Sequence, residues 1–172
     1  MRNKVILGIN PGSRHLGYAL FQGSALRDWG IKAVTGKWSS TKKQKIARVY
    51  QCLLDDCQPD YLAIKKLHSA RSSPELDEQI AKFMELCNAR QIPILEYPIK
   101  YLEETILSEK KNKESLVESV YKLHPELFHD FQKATEVNPK TMKEKIRKNE
   151  YHTRMFEAVA LAHVCFNQLD NH

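Results

Sequence analysis

The sequence predicts one α/β domain over residues 1–172, a mixed five-stranded sheet with helices packed against it. Three observations predict this. Short apolar runs broken by turn residues fill the first forty positions, the signature of an antiparallel meander. From Thr41 onward the apolar period becomes helical, and helices then alternate with short strands, the pattern of parallel additions. A chain of 172 residues suits a single core, and no repeat, low-complexity tract or linker divides it.

Lys4–Ile9 is an apolar strand that stops at the turn residues Asn10-Pro11-Gly12-Ser13. Leu16–Phe21 resumes strand character and ends at Gln22-Gly23-Ser24, and Ala25–Val34 forms a third run broken near Gly36. Thr41–Cys57 then places Ile46, Val49, Tyr50, Leu53 and Leu54 at helical spacing behind a Ser-Ser-Thr start that can cap. Asp60–Ile64 is a brief strand. Leu76–Ala89 is a helix with Ile80, Phe83, Met84 and Cys87 on one face, and Ile92–Tyr97 is a strand closed by Pro98. Asn112 can cap a helix whose apolar side is Leu116, Val117, Val120, Tyr121 and Leu123. After His124-Pro125 the chain turns polar, and Pro139–Asn149 gathers Lys140, Lys143, Lys145, Arg147 and Lys148 around one acid, Glu144. That basic run reads either as a solvated helix or loop, or as an arm that contacts phosphates. The last helix, Tyr151–Leu169, is the most apolar, with Met155, Ala158, Val159, Ala162, Cys165 and Phe166 recurring at helical spacing.

Composition narrows the function class. Hydrophobic residues at 42% and charged residues at 28% exclude a disordered chain, a collagen-like repeat and a disulfide-dense miniprotein. No apolar stretch approaches the roughly 18 residues that span a membrane, and the apolar run after Met1-Arg2-Asn3-Lys4 is too short for a secretory signal. A cytoplasmic location is expected. Cys52, Cys57, Cys87 and Cys165 lack paired spacing and read as reduced, buried core thiols rather than a zinc site. Lys and Arg number 27 against 21 Asp and Glu, a formal +6 that permits a polyanionic partner such as nucleic acid.

Three segments draw attention. Gly8-Ile9-Asn10-Pro11-Gly12-Ser13-Arg14-His15-Leu16-Gly17-Tyr18 is a strand–turn–strand with three glycines. It is no phosphate loop, because no Gly-Lys-Ser/Thr ends it and no helix follows; by itself it reads as a hairpin. Pro59-Asp60-Tyr61-Leu62-Ala63-Ile64-Lys65-Lys66 runs a strand into a polar loop, and Arg154-Met155-Phe156-Glu157-Ala158 embeds two charges in the start of an apolar helix.

Taken together these segments resemble the RuvC family of Holliday junction resolvases, which have the ribonuclease H fold. The first is similar to that family's Gly-Ile-Asp-Pro-Gly-Ser-x-x-x-Gly-Tyr opening, and the second to its Pro-Asp-x-x-Ala-Ile-Glu strand. Ile92-Pro93-Ile94-Leu95-Glu96-Tyr97 resembles the family's next strand, and Lys110-Lys111-Asn112-Lys113-Glu114 its basic stretch before a helix. The third resembles Asp-Ala-Ala-Asp-Ala-Leu-Ala near the family's C-terminus. The matches fall in the family's order and cover most of the chain.

The resemblance implies a nuclease with four acidic positions holding two Mg²⁺ about 4 Å apart. In this chain those positions fall on Asn10, Lys65, Arg154 and Glu157, so only Glu157 is acidic. Four carboxylates would carry −4; these four side chains carry +1. At an effective dielectric near 20, each unit pair about 4 Å apart contributes about 4 kcal/mol, so two divalent cations should be repelled. No metal ligand set and no cofactor are therefore expected, and nuclease activity should be absent. Asp60 and Glu96 do not replace the missing acids, and Glu150, Arg154 and Glu157, sharing one helix face, have an ion-pair ladder as their simplest role.

A site shaped for a scissile phosphate and lined by Lys65 and Arg154 suits an anion. The resemblance places junction contacts on the loop carrying Lys66, His68 and Arg71, with His68 near a stacking aromatic of the family, and backbone contacts on Lys110, Lys111 and Lys113. The first expectation is a RuvC-like, inactive protein that binds nucleic acid, branched DNA included. The alternatives are an active Mg²⁺-dependent crossover junction endodeoxyribonuclease with relocated ligands, and a protein–protein module that retains only the fold. The resemblance also implies a homodimer, or pairing with an active relative, through the helix around Gln79, where Glu78 and Lys82 replace the small residues that let helices approach.

Overall fold

All five predicted strands are present in the computed structural model, which describes residues 2–107, 113–137, 144–146 and 150–172, with side chains for 2–107, 116–134 and 152–172. Strands β1 (Val5–Asn10), β2 (His15–Gln22) and β3 (Ala25–Ala33) form the antiparallel meander. Helix α1 (Ser40–Cys57) crosses to β4 (Tyr61–Lys66), and α2 (Pro74–Ala89) crosses to β5 (Ile94–Pro98), both strands running parallel to β1. The sheet order is β3-β2-β1-β4-β5, so β1 is central and its six residues are all buried. A strand covered on both faces needs a continuous apolar run, which Val5–Ile9 supplies.

The helix starts are written locally. Ser39 accepts from Lys42 N and caps α1, while Ser73 accepts from Leu76 N and caps α2 with Pro74 in its first turn. Beyond β5 come α3 (Ile99–Ile106), α4 (Lys113–Leu123), α5 (Phe128–Ala134), a short hairpin of β6 (Thr135–Val137) and β7 (Glu144–Ile146), and the long α6 (Glu150–Asp170). No helix among the described residues is long and apolar enough to cross a membrane.

Alternation along β1 divides the core in two. Leu7 and Ile9 face α1 and α2, with Leu53, Leu54, Phe83 and Cys87. Ile6 faces α6 and the smaller helices, with Leu102, Val117, Phe156, Val159 and Cys165. Helix α6 lies unusually close to the sheet on this second side. A Cβ on Gly8 would overlap the carbonyl of Ala158, and one on Gly17 would overlap the carbonyl of Arg154. Two glycines of the opening motif therefore seat a helix. On the same helix, His163 Nδ1 lies 3.0 Å from His124 Nε2, joining α6 to the end of α4.

Several expectations change. Cys87 and Cys165 are buried, but Cys52 is exposed and Cys57 half-buried, because the buried stripe of α1 runs through Ile46, Tyr50, Leu53 and Leu54. Leu123 ends α4 facing solvent, 48% exposed. Strand β5 starts at Ile94 rather than Ile92, since Gln91 takes a positive φ and bends the chain. The polar stretch after Pro125 contains a short helical turn and α5, with Leu127 and Ala134 buried. Within the basic run, Glu144–Ile146 is a strand, while Lys140, Lys143, Arg147 and Lys148 lie outside the described residues.

Candidate functional site

The period of two that buries Ile6 and Gly8 against α6 carries Asn10 to the same face at the end of β1. The neighbouring parallel strand does likewise: Ala63 faces α6, and Lys65 stands two residues further on, beside Asn10, because Ile9 is paired with Ile64. Helix α6 completes the site with Arg154 and Glu157, one turn apart. Three separate elements thus bring together the four positions that the sequence singles out.

Their contacts are specific. Glu157 Oε2 accepts from Asn10 Nδ2 at 2.6 Å, and Lys65 Nζ lies 2.9 Å from the same oxygen. The side chains of Lys65 and Glu157 are only 10% and 2% exposed, so this is a buried ion pair. Asn10 Nδ2 also reaches the carbonyl of Arg154 at 3.4 Å. Arg154 turns the other way: its Nη1 donates to the carbonyl of Pro11 at 2.9 Å, and its guanidinium lies over Gly12, where any Cβ would collide with it.

A pair of divalent cations does not fit this donor set. Hard cations need several carboxylate oxygens. The site offers one carboxylate, one of whose oxygens is already engaged by an ammonium and an amide, plus the neutral Asn10 Oδ1, which has no partner among the described residues. The Lys65 ammonium supplies, from within the chain, positive charge beside the single acid. Among the described residues no group of three His, Cys, Asp or Glu side chains gathers in a metal-binding arrangement.

Outside the ion pair the site opens. A cleft of about 380 Å³ is bounded by Pro11, Lys65, Leu67, Arg71, Thr153 and Arg154. It shares Lys65, Leu67 and Arg71 with a groove of about 690 Å³ that continues past Lys66 and His68 to Pro98, Ile99 and Lys100. Four predicted contact residues, Lys65, Lys66, His68 and Arg71, therefore line one continuous depression. His68 is exposed, and its Nδ1 accepts from Ala70 N at 3.1 Å, capping a helical turn over Ser69–Arg71 that presents Arg71. Lys110 and Lys111 lie outside the described residues; Lys113 opens α4, and its side chain also lies outside them. Sequence reasoning missed Lys100 and the carbonyl of Pro11. Lys100 is on α3, an element too short to show a period, and a backbone acceptor has no residue signature.

Gln79 lies on the buried stripe of α2 with Leu76, Phe83 and Cys87, and neither end of its amide has a partner among the described residues. Glu78 is tied to Lys43 and Lys82, at 3.2 Å each.

A family model for the crossover junction endodeoxyribonuclease RuvC matches residues 6–128. A protein of that name from Photorhabdus laumondii is 29% identical in an alignment that covers 69% of this chain and 75% of the relative. Thermus thermophilus RuvC, solved in complex with a Holliday junction substrate, superposes with a TM-score of 0.68 at 15% identity, covering 97% of this chain and 96% of that one. The yeast mitochondrial Holliday junction resolvase Ydc2 superposes with a TM-score of 0.60 at 13% identity, covering 99% and 82%. The two superpositions establish a ribonuclease H-like fold.

Proposed function

The chain belongs to the RuvC family, and we propose that it binds branched DNA at the former phosphodiester site without cutting it. One observation carries the reading: the Lys65 ammonium sits 2.9 Å from Glu157, so the remaining acid is neutralised by a tethered cation. With Glu157 neutralised, Arg154 gives the cleft its positive charge, and Arg71, Lys66 and Lys100 extend it along the groove. Arg offers two donors in a plane and Lys a point charge, which suits phosphate oxygens. Such contacts position a nucleic acid rather than read its sequence. His68, exposed at the groove's rim, offers a ring for stacking against an unpaired base. Lys65 itself serves first as the counter-ion of Glu157 and only secondarily as a phosphate ligand. Pairing with a second copy, or with an active relative, would use the exposed side of α2, which carries Glu78 and Lys82.

The test combines binding and cleavage. A labelled four-way junction and a matched duplex are mixed with the protein in Mg²⁺, Mn²⁺ or EDTA across a salt series. The expected result is salt-sensitive, metal-independent binding that favours the junction, with no cleavage. Metal-dependent cuts abolished by Glu157→Ala would overturn the proposal.

A further inference from the structure

The positive charge of this chain is unevenly placed. Residues 1–57 hold ten Lys and Arg against three Asp, a net +7, and the remaining residues sum to −1. Part of that excess gathers at a feature the site does not use. Between the end of β3 and the outer face of α1 runs a groove of about 420 Å³, lined by Lys32, Val34, Lys45, Arg48, Val49 and Asp56. Lys32, Lys45 and Arg48 are all exposed. Elsewhere on α1 the cations are engaged: Lys42 donates to the carbonyl of Gly36 and Lys43 pairs with Glu78. No described carboxylate pairs with Lys32, Lys45 or Arg48.

The topology places this groove beside the cleft. Ala33, ending β3, is paired with His15 at the start of β2, next to the end of β1. Val34 N donates to the carbonyl of Arg14 at 2.9 Å, fastening the loop after β3 to the β1–β2 turn, and Arg14 is exposed on that turn. The groove therefore opens on the same sheet edge as Asn10 and Lys65, with Arg14 between. Along the sheet β3 and β4 are three strand spacings apart, about 14 Å, with the groove on the α1 side and the cleft where α6 meets the strand ends. Duplex DNA carries one charge per about 1.7 Å of axis, so a segment that short presents about eight phosphates.

We infer that the groove between β3 and α1 is a second nucleic-acid contact, taking the sugar-phosphate backbone of the same duplex arm whose neighbouring phosphates reach the cleft. The inference rests on the cleft reading, to which it adds a track and a direction. A polyanionic backbone is favoured over an acidic peptide because the cations are spread along one edge.

The test is the salt dependence of junction binding for three proteins. These are the wild type, a groove variant (Lys32→Gln, Lys45→Gln, Arg48→Gln) and a control that removes the same charge elsewhere (Arg90→Gln, Lys122→Gln, Lys133→Gln). Thermal melts confirm folding, and Lys45→Gln with Arg48→Gln serves if loss of Lys32 from the ring of Tyr18 disturbs the sheet. The groove variant should bind at least tenfold more weakly, with its log–log salt slope reduced by about 2–3, while the control keeps the wild-type slope. A groove variant equal to wild type, or a control that loses as much, overturns the inference and leaves the cleft standing. Wild-type protein that binds no nucleic acid overturns the cleft reading itself. Competition by polyglutamate but not by DNA would assign the groove to an acidic protein instead.

Discussion

Near its start α6 buries Glu157 against Lys65 and Asn10; six residues on, the half-buried His163 meets the buried His124. At the first place a counter-charge arrives from β4 at 2.9 Å. At the second the nearest acid is the exposed Glu126, 3.8 Å from His124 Nδ1, and the ring of Phe21 packs edge-on against both imidazoles. Burial lowers the pKa of both histidines, that of His163 to about 4, which favours the neutral form of each ring. The difference teaches that a buried counter-charge at hydrogen-bond distance offsets burial, whereas an exposed acid at longer range leaves burial to dominate. Only the first kind of site can stand in for a metal's charge.

The largest expected effect breaks the ion pair from one side. Lys65→Met leaves Glu157 buried without its cation and should cost about 3–5 kcal/mol in denaturant unfolding. Adding Glu157→Gln should recover most of that loss, and a single variant as stable as wild type would remove the pair from the account. The histidine pair is tested by pH. A His whose folded pKa lies below its unfolded value stabilises the protein above about pH 6.5 and loses that contribution as pH falls towards 4. At most about 3 kcal/mol should disappear across this window, measured as unfolding free energy against pH, and His163→Leu should flatten the curve. Both sites depend on how closely α6 approaches the sheet. Gly17→Ala puts a methyl group into the carbonyl of Arg154 and should cost about 1–3 kcal/mol while weakening junction binding, because Arg154 must shift. The smallest effect concerns Gln79, a third buried polar side chain with neither remedy. Gln79→Leu should be neutral or stabilising by about 1 kcal/mol in the isolated chain, checked by thermal melt.

Much of the fold was legible because its signals are local. The Ser-Ser-Thr start announces α1, the period along Ile46, Tyr50, Leu53 and Leu54 locates a buried face, and the apolar run up to Ile9 identifies a strand. Helix α3 and the hairpin of β6 and β7 were not legible, since eight residues and three residues are too short for a period to stand out. The site was legible as a set of residues, Asn10, Lys65, Arg154 and Glu157, because the motifs around them fall in a recognisable order. What each side chain does with the others was not.

At the four positions that the resemblance selects, residue types alone thus give the charge of the candidate site, because charge is additive and needs no coordinates. Partnership needed the fold. Lys65 and Arg154 carry the same charge in the sequence, yet one is sealed onto Glu157 while the other reaches over Gly12 to the carbonyl of Pro11. Hydrogen bonds and ion pairs decay over a few ångströms, and residues 92 positions apart in the chain come that close only when α6 docks on the glycines of β1 and β2.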